Sequence, residues 1–201
     1  MTARTSAART SAARPGAPPS GGRDPLPPLI KTIRVGWSPD AAFRRFTREI
    51  GTWWPLRTHS VGGNEAQTVV FEEKVGGRII ERIAGGRESV WGTVTEWDPP
   101  RVVAFTWHPA RDVNSSQDVE VRFHPDGNGT RLELIHTGWE KFGAMARKAR
   151  GGYNMGWDYV LNIWADRRNS LLVRSMDVLI WLMMPFQKRM AKKFEETAAK
   201  G

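Results

Sequence analysis

The chain has 201 residues, 40% of them hydrophobic and 25% charged, the balance of one soluble globular domain with tails. It contains no cysteine, which excludes a disulfide scaffold, a zinc–thiolate site and thiol catalysis. Net charge is +9, but residues 1–29 and 185–201 each hold about +3 of it, and no Lys/Arg stripe interleaves with the aromatics between them, so nucleic acid is not an expected partner.

Residues 1–28 are Ala, Arg, Ser, Thr, Pro and Gly with almost no large apolar side chain. Such a segment cannot bury enough surface to offset its ordering entropy and reads as a disordered basic tail. It shares an Arg-rich, acid-poor character with transit peptides but has no apolar run of the secretory kind, and the expected location is the cytoplasm. Leu29–Gly36 alternates as a first strand. Ser38-Pro39-Asp40 then opens a helix, with Ser38 as its cap, Ala42, Phe43, Phe46 and Ile50 as its apolar face, and Gly51 as its end.

The loop Trp53–Gly63 is dense in aromatics and turn formers. Six strand signals follow: Thr68–Lys74, Arg78–Ile83, Glu88–Trp97, Val102–His108, Gln117–Phe123 and Thr130–Thr137. Their connectors are short and rich in Gly, Pro and Asp, which predicts an antiparallel meander. One face should be buried, with Val69 and Phe71, Val103, Phe105 and Trp107, Val119, Val121 and Phe123, and Leu132 and Leu134 inward. From Gly152 the period changes: Tyr153, Trp157, Val160, Leu161 and Trp164 recur at helical spacing, predicting an amphipathic helix on the sheet that extends to about Val173.

Residues 174–201 read as a helical extension. Val178–Phe186 is apolar but too short to span a bilayer, and a basic stretch follows it. Three roles compete for it: packing back on the domain, self-association in a homodimer, or peripheral membrane contact.

The order of these elements resembles the helix-grip fold, an α+β architecture in which a curved antiparallel sheet wraps a long C-terminal helix. Trp53-Trp54-Pro55, Phe71 with Gly76-Gly77-Arg78, Trp91-Gly92 with Asp98-Pro99-Pro100, and Gly129-Thr130 with His136 and Gly138-Trp139 resemble the START-like (SRPBCC) superfamily and, within it, the AHSA-type family, named for a domain that activates the heat-shock protein 90 ATPase. The resemblance covers roughly residues 30–170, and the domain it implies is expected over 29–173. It implies a cavity between sheet and helix but no single activity, since the superfamily includes lipid binders, polyketide cyclases and chaperone regulators.

His136 shares strand parity with Leu132 and Leu134 and should point inward, either as a polar ligand contact or as a structural histidine bonded to a carbonyl or an indole. His59 sits in the aromatic loop beside Ser60; neighbours in sequence make a poor dyad, and the loop reads as a cavity mouth. His108 and His124 read as exposed strand-end residues. Glu81 shares parity with Ile79 and Ile83; inward-facing, it would be an acid of raised pKa or the partner of Arg78 or Arg82. Ten tryptophans exceed what a small core needs, and each indole N–H wants a partner. Trp54, Phe71, Trp91, Phe105, Trp107, Trp139, Tyr153, Trp157 and Leu161, with His59, Glu81 and His136, are therefore the candidate lining of a ligand cavity. Neither a metal site nor a cofactor is expected, and no catalytic set stands out. Binding of a small hydrophobic or aromatic ligand leads, against a partner-binding regulator and a cyclase- or aromatase-like enzyme.

Overall fold

The computed structural model describes residues 26–180. The predicted strands all form, as β1 (Leu29–Val35), β2 (Ala66–Phe71), β3 (Arg78–Ile83), β4 (Arg87–Asp98), β5 (Val102–Trp107), β6 (Gln117–Asp126) and β7 (Gly129–Thr137). They make one antiparallel sheet in the order β1-β7-β6-β5-β4-β3-β2, so β2 to β7 is a meander and β1 closes its far edge. Alternation sets one face inward: Val103, Phe105 and Trp107 on β5, Val119, Val121 and Phe123 on β6, and Leu132, Leu134 and His136 on β7 are all buried. Gly92 on β4 is required by a close approach, because a Cβ there would lie 1.8 Å from the Thr106 carbonyl oxygen.

Helix α1 (Pro39–Phe46) starts as predicted, with Ser38 Oγ accepting from the Ala41 N–H and Pro39 in the first turn. It ends before Gly51. A separate short helix, α2 (Ile50–Trp53), carries Gly51, whose Cβ position is crowded by Thr68 and the Val69 carbonyl; this glycine permits packing on β2 and does not terminate α1. Phe43 and Phe46 close one end of the core in edge contacts with Phe123, Trp97 and Trp164.

Helix α3 (Ala146–Trp164) crosses the concave face and buries Trp157, Tyr159, Val160, Leu161, Ile163 and Trp164. It begins six residues earlier than expected and runs through Gly151 and Gly152. Good helix formers at Ala146–Arg150 and the buried stripe behind them offset the cost of the two glycines. It also ends nine residues earlier. Arg45 explains the stop: its Nε donates to the Trp164 carbonyl at 2.9 Å, its Nη2 donates to Asp166 at 2.7 Å, and its guanidinium lies over Trp37. A cation on the C-terminal carbonyls satisfies the helix end and complements its dipole, while Asp166 turns the chain with φ 58°. A further helix, α4 (residues 171–180), follows the turn.

Residues 26–28 of the segment read as tail lie against the domain. Leu26 packs on the core, and Arg150 donates to the carbonyls of Pro27 and Pro28 at 3.0 and 3.1 Å. Among the described residues no helix is long and apolar enough to cross a membrane. The last two-thirds of the Val178–Phe186 stretch lies outside them.

Candidate functional site

The sheet and α3 do not enclose one large empty barrel. Phe71, Phe105, Trp139, Trp157 and Leu161 are buried core residues, and Phe71 packs edge-on to Phe105 at 5.7 Å. What remains open is a cavity of about 360 Å³ at one end of the grip, lined by Trp54, Trp91, Trp107 and Tyr153, by Thr58–Val61, and by Pro109 and Ala110. Five of the twelve expected residues line it: Trp54, His59, Trp91, Trp107 and Tyr153.

Its floor is a triangle of indoles. Trp54 lies 5.2 Å from Trp91 and 5.9 Å from Trp107, and Trp91 lies 5.6 Å from Trp107. Trp157 backs this triangle, 5.8 Å from Trp107. Short alternating strands place Trp91 and Trp107 side by side, and α2 delivers Trp54, whose N–H donates to the His59 carbonyl at 2.6 Å. That bond folds the mouth loop back over the floor.

Glu81 is fully buried and is not a cavity acid. Its carboxylate accepts from the backbone N–H groups of Val61 and Gly62, each at 2.7 Å, and from Trp91 Nε1 at 2.9 Å. One side chain thus ties the rim loop to the indole floor. The expected partners are engaged elsewhere, Arg78 with Glu72 and Arg82 with Glu88.

His136 points inward as expected and is shut away from the cavity. Trp157 Nε1 donates to its Nδ1 at 3.0 Å, which leaves the ring proton on Nε2, and burial lowers its pKa to about 3. It sits between Trp139 and Tyr153, at centroid distances of 4.3 and 4.9 Å. His59 stacks on Tyr159 at 5.0 Å with its Nδ1 2.9 Å from Thr58 Oγ1, and burial lowers its pKa as well. Burial raises the pKa of Tyr153, so its hydroxyl stays a neutral donor. No lining side chain of this cavity therefore carries charge at neutral pH.

Two histidines differ from expectation. His108 is buried, because the 109–116 connector folds back over the end of β5, and neither of its ring nitrogens has a partner among the described residues. His124 lies within β6, which is longer than predicted, with its Nε2 3.6 Å from Glu133. Sequence reasoning missed Pro109 and Ala110 as lining; Thr58, Ser60 and Val61 belong to the Trp53–Gly63 loop expected at the cavity mouth but were not individually expected as lining. The left-handed backbone of Ala110 (φ 59°) that bends the connector over the cavity leaves no signal in the sequence. Beside it, Arg111 stacks its guanidinium 3.7 Å from the Phe142 ring centroid.

A larger cleft of about 580 Å³ lies on the other side of the Trp54–Thr58 loop, walled by Tyr159, Ile163, Arg168, Val173, Asp177 and Ile180. It opens at the last described residues of α4, so the smaller cavity, built entirely from the sheet, α3 and ordered loops, is the candidate site. Among the described residues no cluster of His, Cys, Asp or Glu could hold a metal ion.

A curved seven-stranded sheet gripping a long helix defines the helix-grip architecture of START-like proteins. Residues 37–163 match the family described as "Activator of Hsp90 ATPase homolog 1-like protein", and the chain belongs to that family. No curated protein matches it by sequence. Among solved structures it is similar to Txn09, an anthrahydroquino-gamma-pyrone synthase, at 30% identity and a TM-score of 0.51 over 73% of this chain and 99% of that one. It is also similar to CalC, a self-sacrificing resistance protein of Micromonospora echinospora (24% identity, TM-score 0.53, covering 70% and 93%). The Aha1 dimer of Colwellia psychrerythraea (18%, 0.51, covering 70% and 95%) shares the fold.

Proposed function

We propose that the protein binds a small, uncharged, flat aromatic or hydrophobic molecule in the cavity beneath the 58–61 loop. The observation that carries this reading is the floor of three indoles, Trp54, Trp91 and Trp107, under a rim whose only polar groups are neutral. An aromatic guest gains dispersion and ring–quadrupole contacts on such a floor. A charged guest would lose its hydration with no ion in the lining to replace it. The hydroxyls of Thr58, Ser60 and Tyr153 suffice to orient one or two oxygens of the guest. The similarity to Txn09, a synthase of an aromatic polycycle by its own description, supports a ring-bearing ligand. The binding unit is residues 29–173, and a chain without cysteine is compatible with a reducing compartment such as the cytoplasm.

The test is titration of the full chain with neutral planar compounds such as naphthol, flavone and anthraquinone, followed by tryptophan quenching and calorimetry. Saturable binding is expected. Val61→Trp, at an exposed rim position, should weaken it about tenfold or more by filling the mouth, with the melting temperature unchanged. If none of the compounds binds, the cavity is only a packing fault and the regulator reading of the family takes its place. Turnover of a bound compound would favour the cyclase-like reading.

A further inference from the structure

Most polar groups in the cavity lining are already engaged, and one acceptor is left over. Of the three indoles, Trp54 donates to the His59 carbonyl at 2.6 Å, Trp91 donates to Glu81 at 2.9 Å, and the Trp107 N–H is sealed off. The Thr58 hydroxyl donates to the Pro55 carbonyl at 3.2 Å. Ser60 Oγ accepts from the Gly63 N–H at 3.0 Å and keeps its own proton to donate. The other side-chain nitrogens of the lining belong to His59.

His59 is held on three sides. Its carbonyl is the acceptor of Trp54, its ring stacks on Tyr159 with the planes 17° apart, and its Nδ1 lies 2.9 Å from Thr58 Oγ1. Tyr159 is itself fixed, its hydroxyl donating to Asp177 at 2.6 Å. Because the Thr58 proton goes to Pro55, the bond to His59 runs the other way: Nδ1 carries the ring proton and donates to Oγ1. Nε2 is then a bare lone pair. It has no hydrogen-bond partner among the described residues, and unlike both nitrogens of His108 it is not sealed off. On α3, Gly156 faces this nitrogen: a Cβ there would lie 3.7 Å from Nε2 and meet nothing else within 4 Å. Alanine would suit the middle of a helix better, but glycine leaves the space beside the lone pair open. Burial lowers the pKa of His59, so the ring stays neutral and the lone pair is available at neutral pH.

Resting on the reading of this cavity as a binding site, we infer that His59 Nε2 accepts a hydrogen bond from a hydroxyl group of the ligand, which narrows the ligand to a hydroxyarene, a phenol or naphthol. A phenolic O–H has an ordinary pKa of about 10, so it arrives protonated and brings no charge into the cavity. A guest with oxygen acceptors alone would leave the imidazole lone pair desolvated and facing a second acceptor. A site that holds one fixed acceptor discriminates in this way between guests of the same shape.

The experiment compares 2-naphthol with 2-fluoronaphthalene, which has nearly the same shape and no O–H to donate. Both are titrated by NMR into the full chain and into His59→Phe, which keeps an aromatic ring to stack on Tyr159. The preference for naphthol over its fluoro analogue should fall about fivefold or more in the variant, the scale of one neutral hydrogen bond. His59→Gln, whose amide can accept near the place of Nε2, should restore part of that preference. In the wild-type protein the imidazole nitrogen spectrum should show an unprotonated Nε2 whose resonance moves when naphthol is added and holds still with the fluoro compound. That observation requires no variant to fold. Equal preference in wild type and His59→Phe overturns the hydroxyl assignment while leaving the cavity a binding site, and so does a free protein whose Nε2 is the protonated nitrogen. If neither probe binds, the binding-site reading falls and the hydroxyl assignment falls with it.

Discussion

Trp157 donates its indole N–H to His136 Nδ1 at 3.0 Å, and this bond locks the gripping helix to the last strand of the sheet. It also fixes the imidazole tautomer and leaves the ring neutral, with its pKa lowered by burial to about 3. The unfolded chain holds this histidine near its ordinary value, so it takes up a proton that the folded protein refuses. Stability from this group is therefore complete above about pH 6.5 and is lost as pH falls from there towards about 3, by up to about 1.4 kcal/mol per pH unit. Burial moves His59 the same way, so the contribution of His136 must be isolated by substitution. His136→Asn keeps an acceptor for Trp157 but cannot titrate. Chemical denaturation between about pH 7 and about pH 5 should show a shallower loss in the variant than in wild type. Equal slopes, or an imidazole resonance that titrates near neutrality, would contradict the closed site.

Trp157 itself anchors α3. Trp157→Ala removes a buried indole and should cost about 3–5 kcal/mol in equilibrium unfolding. Trp157→Phe keeps most of the ring and removes the donor. Its loss should be closer to about 1–2 kcal/mol, the range of one hydrogen bond and its orphaned acceptor. A loss below about 1 kcal/mol for the alanine variant would mean that the helix face is not the core it forms in this structure.

Much of the architecture is written in period and punctuation. Residues such as Val119, Val121 and Phe123 alternate because β6 has one wet and one dry face, and His136 follows the same parity on β7. What sequence could not supply were the contacts between distant segments. Arg45 ends α3 from 119 residues away, and Glu81 meets its three donors on a loop and on a neighbouring strand. Parity said that Glu81 faces inward but not what it would meet there. The cavity was only half legible for the same reason. Two of its three floor indoles, Trp91 and Trp107, come from strands with a period, whereas its rim comes from the 58–61 and 109–110 loops, where backbone conformation decides position.

The N-terminal edge of the domain can be placed by truncation. Residues 1–25 carry the Ala/Arg/Ser/Pro composition that has nothing apolar to dock, so their deletion should leave the melting temperature unchanged. Extending the deletion through Pro28 removes Leu26 from the core margin and both carbonyl acceptors of Arg150. That step should cost about 1 kcal/mol or somewhat more, roughly 2–4 °C in a domain of this size. Differential scanning calorimetry of the two truncations decides the matter, and identical curves would mean that the Arg150 contacts contribute nothing.

Glu81→Gln separates the stability of the fold from the shape of the site. The carboxylate accepts three N–H bonds, and an amide offers one oxygen and a nitrogen that cannot accept. At least one of the Val61, Gly62 and Trp91 donors then faces an NH2 group in a buried site. The expected loss is about 1–3 kcal/mol in unfolding, on the scale of an unsatisfied buried group. The rim should suffer beyond that figure, because Val61 and Gly62 are held over the indole floor by this carboxylate. Hydrogen exchange should therefore rise at residues 58–63 well before it rises on β5 to β7, and affinity for the planar probes should fall even where the protein remains fully folded. Gly62→Ala provides the complementary perturbation: its Cβ would meet Glu81 Oε1 at 2.9 Å and Ile83 Cγ1 at 2.8 Å, pushing the loop off its clamp without altering the charge. Both variants should open the same loop. If exchange rises uniformly across the sheet instead, Glu81 holds the fold as a whole and the rim is not a separately fastened element.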